Sequence, residues 1–179
     1  MYLGKSESHT LIHIARETIS TYVRTGALPQ LEVKETRLQK PGAAFVTIRK
    51  NGLLRGCIGY TEEVYPLYRT VMECAVSSAT EDPRFPPIEE SELEDIEIEI
   101  SVLTPLEEVK DISSILVGKH GLMVRKGTKR GLLLPQVPVE YGWDLPAFLS
   151  HTCVKAGLLE DEWKKGVEIY SFEAQIIDE

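Results

Sequence analysis

Residues 43–60 read AAFVTIRKNGLLRGCIGY, and this stretch decides the fold class. Asn51-Gly52 suits a two-residue type I′ turn, because both central positions of that turn need a positive φ. Ala43–Lys50 and Leu53–Tyr60 are the flanking strands, with β-formers on either side of the turn. A two-residue loop sets the register: Lys50 faces Leu53, Ile48 faces Arg55 and Val46 faces Cys57. Arg55 and Cys57 then point to one face, about 7 Å apart along the strand.

Working outward, Leu11, Ile12, Ala15, Ile19, Tyr22 and Val23 recur at helical spacing. They predict a helix over Ser8–Thr25, ended by Gly26 and Pro29. Pro66 suits the first turn of a second helix running to Thr80, whose small residues Cys74, Ala75, Ser78 and Ala79 permit close packing. Ile96, Ile98, Ile100 and Val102 alternate with Glu97, Glu99 and Ser101, the pattern of a half-buried strand. Short helical pieces are expected at Glu89–Leu93, Ile112–Leu116 and Glu160–Lys165. Gly121–Lys126 and Gly131–Leu134 read as a second hairpin around Gly127. Asp144 caps a helix through Ala156, with Gly157 beyond its end. Val167–Ile177 reads as one last strand whose apolar phase shifts between Ile169 and Tyr170, which predicts a bulge. Hairpins and helices without regular βαβ alternation give an α+β fold of mainly antiparallel sheet with flanking helices.

Composition narrows the function classes. The 179 residues suffice for one substantial core or for two small lobes. No apolar run reaches the ~20 residues that span a bilayer, and Met1–Arg16 lacks the apolar stretch of a secretory signal; a cytoplasmic protein away from membranes is expected. Cys57, Cys74 and Cys153 are far apart and odd in number, which argues against a disulfide framework or a zinc knuckle. The net charge of −8 disfavours nucleic acid as a partner. The acid is concentrated: Glu81–Glu108 holds eleven acidic residues and one basic residue, leaving the rest of the chain at +2. Two basic clusters remain, Arg49/Lys50/Arg55 and Lys119/Arg125/Lys126/Lys129/Arg130, and both are poor in the aromatics that single-stranded nucleic acid requires. There is no P-loop, GxGxxG, GxSxG or HExxH. His9 and His13, with Glu17, have a metal-compatible spacing on one helix, but no further ligand is in view, so neither a metal nor a cofactor is expected.

The candidate site centres on LRGCIG, Leu54–Gly59. Glycine inside a strand marks a bulge or a close backbone approach, and here Gly56 and Gly59 bracket Cys57. Two readings stand. In one, Arg55 favours the Cys57 thiolate, which is the nucleophilic form; in the other, Cys57 is a small buried apolar residue. Arg84, the only cation in the acidic stretch, can hold an anionic group in bidentate fashion or pair internally with Glu81 or Asp82. His120, between two glycines, can act as a proton shuttle or cap a turn. Arg130 and Gln136, near the end of the second hairpin, either help form a basic, glycine-rich concavity suited to a small anion or, the favoured reading, belong to a solvated surface cluster.

Six motifs occur in order: LRGCIG at 54–59, DPRFPP at 82–87, GKHGL at 118–122, RGLLLPQV at 130–137, GWD at 142–144 and KAGL at 155–158. Together they resemble the AMMECR domain family, whose free-standing microbial members are also called AmmeMemoRadiSam system protein A. The resemblance covers nearly the whole chain. It implies one domain over residues 1–179 in two lobes, with a smaller lobe at about 43–95 set into a larger one formed by 1–42 and 96–179. It also implies an archaeal or thermophilic source and an association with Memo-type and radical-SAM proteins. LRGCIG is the segment the family resemblance marks as functional, so Leu54, Gly56, Ile58 and Gly59 join Arg55 and Cys57 as site residues. No particular reaction comes with the resemblance, and two roles follow for the site. One is an accessory or binding module for a partner protein or small anionic ligand. The other is an enzyme or covalent carrier with Cys57 as thiolate, Arg55 as activator and His120 as shuttle.

Overall fold

The computed structural model describes residues 2–179. In chain order its main elements are α1 (Lys5–Thr25), β1 (Ala44–Lys50), β2 (Leu53–Tyr60), α2 (Leu67–Thr80), β3 (Ile96–Leu103), β4 (Glu107–Glu108), β5 (Gly121–Lys126), β6 (Lys129–Leu133), α3 (Gln136–Glu140), α4 (Leu145–Lys155), β7 (Glu168–Phe172) and β8 (Ala174–Asp178). Single 3₁₀ turns lie at Glu90–Glu92, Ile112–Ser114 and Glu162–Lys164, inside the three short helical pieces expected. The fold is α+β with two antiparallel four-stranded sheets, as the hairpins imply. No helix among the described residues is long and apolar enough to cross a membrane.

The chain divides into two compact units, 1–103 with 175–179, and 104–174. This is not the 43–95 lobe expected from the sequence. That segment has no core of its own: Val46, Ile48, Val71, Cys74 and Ala75 share one cluster with Leu11, Ile14 and Ile19 of α1 and Ile98 and Ile100 of β3. A hairpin and one helix bury too little apolar surface to stand alone, so α1 and β3 complete the layer.

The first unit's sheet has the order β2-β1-β3-β8. Ala44, Val46 and Ile48 of β1 and Ile96, Ile98 and Ile100 of β3 point to the α1 and α2 side, where each fully buried Ile contributes about 1.5–3 kcal/mol. The intervening residues, Phe45, Thr47, Arg49, Glu97, Glu99 and Ser101, form the opposite face, on which neither helix packs. Asn51 and Gly52 have φ of 51° and 75°, the I′ geometry that the Asn-Gly pair predicts.

The second unit's sheet has the order β4-β7-β5-β6, with Leu122, Val124, Phe148, Leu149 and Ile169 in its core. Asp144 caps α4 by accepting from Ala147 N–H at 2.9 Å. The last predicted strand is corrected: it is two strands in two sheets, β7 in the second and β8 in the first, with Glu173 between them. A one-residue phase shift sends buried side chains to the opposite face, and here it marks a change of sheet rather than a bulge. α3 was not expected, since Pro138 lies within it; its first turn tolerates a proline because that N–H has no helical partner.

Candidate functional site on strand β2

The site begins with a break in register. Lys50 pairs with Leu53 and Arg49 with Leu54, but Ile48 pairs with Gly56, so Arg55 is the extra residue of a β-bulge. Cys57 consequently lies opposite Thr47, not Val46, and Arg55 is not opposite Ile48. Cys57 thereby joins Thr47 and Glu99 in one cross-strand row on the helix-free face. Gly56 faces α2, and a Cβ there would lie 2.0 Å from the Ser78 carbonyl oxygen. At Gly59 a Cβ would meet the Phe45 ring at 2.2 Å. Both glycines are close-approach positions, as their placement in a strand suggested.

The approach at Gly56 lets α2 insert a hydroxyl between two strands. Ile58 N–H donates to Ser78 Oγ at 2.8 Å, and Ser78 Oγ donates to the Val46 carbonyl at 2.7 Å. One residue earlier, the DPRFPP loop takes over the outer edge. Cys57 N–H donates to Asp82 Oδ2 at 2.9 Å, and Arg84 Nη2 donates to the Cys57 carbonyl at 3.4 Å. β2 is the outermost strand of its sheet, so this carboxylate–guanidinium pair stands where another strand would. It blocks edge pairing by side-chain means. Arg84 grips Asp82 in bidentate fashion, Nε to Oδ1 at 2.9 Å and Nη2 to Oδ2 at 2.7 Å. The Asp82 side chain is 2% exposed, and the Arg84 guanidinium holds its carboxyl far below the usual carboxylate range. Arg84 has formed the internal pair. It stays 54% exposed, with its guanidinium 5.4 Å from the Phe85 ring centroid.

Arg55 does not activate Cys57. Its Nε and Nη2 donate to Glu92 Oε1 and Oε2 at 3.1 and 2.9 Å, and Nη1 and Nη2 donate to the Pro86 and Pro87 carbonyls at 2.8 and 3.2 Å. Lys50 Nζ adds a third bond to Glu92 at 3.1 Å. Arg55 and Glu92 are only 14% and 15% exposed, and Arg55, then the Glu89 N–H and Lys50, hold the Glu92 carboxyl down at about 2 against the cost of burial. The bulge that rotates Arg55 out of the strand's alternation is what directs it to this loop.

Cys57 is half-buried, with its Sγ 3.2 Å from Thr47 Oγ1. Burial pushes the thiol above its ordinary value, outweighing the Thr47 hydrogen bond and the Arg84 charge. The group is a neutral thiol near pH 7, not the thiolate that an adjacent guanidinium would favour. Cys74, fully buried, is pushed by burial up to about 12, and Cys153 is raised by burial as well.

The remaining candidates belong to the second unit. His120 Nδ1 accepts the Leu116 N–H at 3.2 Å while the His120 backbone N–H donates to the Leu116 carbonyl at 2.9 Å, the turn-capping role. Arg130 sits opposite Arg125 in the β5–β6 hairpin, and Gln136 opens α3. The basic cluster is not an open anion site. Arg125 pairs with Glu168, Lys126 with Glu162 and Lys119 with Glu173, while Lys129 Nζ donates to the Gly157 carbonyl beyond α4 at 2.9 Å. His9 and His13 are exposed on α1, and among the described residues no group of three or more His, Cys, Asp or Glu is placed to hold a metal. Sequence reasoning missed Ser78, Thr47 and Glu92. Thr47 follows from the bulged register alone, and Glu92 is one acid among eleven.

The matched motifs now have geometry. LRGCIG is the bulged edge strand, DPRFPP is the loop that grips it, and a family model, AMMECR1, matches residues 12–177. The chain belongs to the AMMECR1 family. AMMECR1 relatives from archaea align over almost its full length. Protein MJ0810 of Methanocaldococcus jannaschii is 51% identical over 186 residues, covering 99% of this chain and 92% of that one. Protein MK0488 of Methanopyrus kandleri is 45% identical over 187 residues, covering 99% and 90%. The crystal structure of the uncharacterized protein PH0010 from Pyrococcus horikoshii has the same fold, with a TM-score of 0.91 at 40% identity over 97% of this chain and 92% of that one.

Proposed function

We propose that this AMMECR1 protein is an accessory binding module that engages a partner protein through β2 and the loop gripping it. The observation that carries the reading is where Arg55 goes. The cation best placed by sequence to activate Cys57 is spent on Glu92 and on the Pro86 and Pro87 carbonyls. Arg84 is likewise spent on Asp82 and Cys57 O. The two motifs together build a stiff ridge rather than an acid–base constellation, and the thiol they support is neutral. The ridge also carries apolar surface: Leu53 is 74% exposed, with exposed Leu54 beside it. Adjacent apolar side chains left exposed among polar ones mark an interaction surface. The covalent reading, with Cys57 activated by Arg55, has no support in this geometry. The small-anion reading is weakened by the ion pairs that occupy the second unit's basic cluster.

The family association nominates a Memo-type or radical-SAM protein as partner, in the cytoplasm, where three free thiols persist. The test is calorimetric titration of the purified chain against each of these protein types. Leu53→Asp with Leu54→Asp is expected to weaken association at least about tenfold, while Cys57→Ser, still folded by circular dichroism, binds as tightly as the parent. Loss of binding on Cys57→Ser with the leucine pair dispensable would overturn the reading.

A further inference from the structure

The helix-free face of the first unit's sheet holds a second feature, separate from the β2 ridge. A hollow of about 270 Å³ is lined by Arg49 of β1, Glu97, Ile98 and Glu99 of β3, Asp178 of β8 and Glu179. Its volume lies at the small end of ligand pockets, which run from ~300 Å³ upward. That suits an amino acid better than a nucleotide.

The charges in it are unusual for this chain. Arg49 is the one arginine among the described residues with no hydrogen bond or ion pair; the others are all partnered. It is unpaired although Glu97 stands directly opposite it in the β1–β3 register. The side chains of Glu97 and Asp178 also make no ion pair or hydrogen bond with any described residue. By contrast, the Glu179 carboxylate is neutralised by Arg16 and accepts from Ile98 N–H at 3.3 Å. Glu99, which also lines the hollow, has an interaction of its own. One cation and two anions are therefore left facing one small hollow without satisfying each other. The surrounding unit, with eighteen acidic and eleven basic residues, adds a field that draws cations.

We propose that this hollow binds a basic α-amino acid, its carboxylate on Arg49 and its ammonium groups on Glu97 and Asp178. A ligand with one carboxylate and two cationic groups is the charge complement of the lining. A simple anion would meet two uncompensated carboxylates, and a diamine would leave Arg49 unanswered. A lysine at a peptide C-terminus keeps the carboxylate and side-chain ammonium but lacks the α-ammonium, so the free amino acid is the source that fits. The inference does not depend on partner binding at β2.

The test is titration of the isotope-labelled protein, followed by amide shifts of β1, β3 and β8, with L-lysine, L-lysinamide, L-glutamate and Nα-acetyl-L-lysine as probes. L-Lysine is expected to saturate shifts confined to these strands. L-Lysinamide and L-glutamate should bind at least about tenfold more weakly, and Arg49→Gln should weaken L-lysine by a similar factor. Nα-Acetyl-L-lysine, which lacks the α-ammonium, should also bind at least about tenfold more weakly; equal binding would overturn the assignment of two ammonium groups to Glu97 and Asp178. No saturation by about 10 mM L-lysine, L-lysinamide binding as well as L-lysine, or an unaffected Arg49→Gln would each overturn it. Arg49 is half-buried but its side chain has no hydrogen bond or ion pair to lose, so its replacement should leave the fold intact, which an unperturbed amide spectrum would verify. The Leu53→Asp, Leu54→Asp variant should bind L-lysine normally, so the two proposals fail separately.

Discussion

Replacing Arg55 with Met keeps the length of the side chain and removes its charge. If Arg55 is a structural clamp, the consequence is instability. The variant loses the bidentate pair with Glu92 and the bonds to the Pro86 and Pro87 carbonyls, leaving Glu92 with Lys50 and the Glu89 N–H. Two routes set the magnitude. Removing one member of a buried pair costs about 3–5 kcal/mol, and side chains 14% and 15% exposed belong at the low end of that range. Independently, Glu92 is held at about 2 against an ordinary 4.5, which at ~1.36 kcal/mol per unit is about 3 kcal/mol, with Arg55 the largest cause. Both give about 3 kcal/mol, or roughly 6–12 °C in Tm for a chain of this length. Urea unfolding should be followed by far-ultraviolet circular dichroism, which reports α1 and α2. Tryptophan fluorescence reports the second unit, because Trp143 and Trp163 both lie in it. In the same samples, the pH midpoint of Cys57 alkylation should not move. A variant as stable as the parent whose Cys57 midpoint rises by about a unit would refute the clamp and restore Arg55 as thiol activator.

Further outcomes follow from the same geometry. In the parent, Cys57 should alkylate with a midpoint above that of a free thiol, because burial raises it, while Cys74 and Cys153 stay inert until the fold opens; mass spectrometry of each cysteine against pH would show a depressed Cys57 midpoint if this is mistaken. Acid should destabilise the first unit in a defined window. A carboxyl with a lowered folded pKa stabilises fully above its unfolded value and loses that stabilisation as pH falls, so the Glu92 contribution is intact above 4.5 and gone near 2. Unfolding free energy measured across that range should fall by about 3 kcal/mol on its account, with Asp82 adding to the loss, and Arg55→Met should show a shallower fall. Gly56→Ala places a Cβ against the Ser78 carbonyl and must push β2 from α2; a loss of about 2–4 kcal/mol, from overpacking plus a lost hydrogen bond, is expected in the same urea assay, and neutrality there would show that the approach is slack.

The legible parts of this protein are those that depend on neighbours in sequence. Asn51-Gly52 dictates its turn because few residue pairs tolerate two positive φ values in succession. The helical periods of α1 and α2 and the alternation of β3 arise from burial on one side of a regular element. LRGCIG and DPRFPP stand out because glycine in a strand and proline in a loop are costly unless something requires them. Tertiary structure decided the rest. Ser78 lies near Gly56 only because α2 packs on the hairpin, and that approach selects the glycine. The β7–β8 change of sheet and the bulged register each turn on a one-residue shift, which reverses every side chain downstream yet leaves local composition unchanged. That shift took Arg55 to Glu92 and set Cys57 beside Thr47. A charge's partner is fixed by distances of a few ångströms between residues 37 positions apart, and no local pattern encodes which of eleven acids Arg55 will meet.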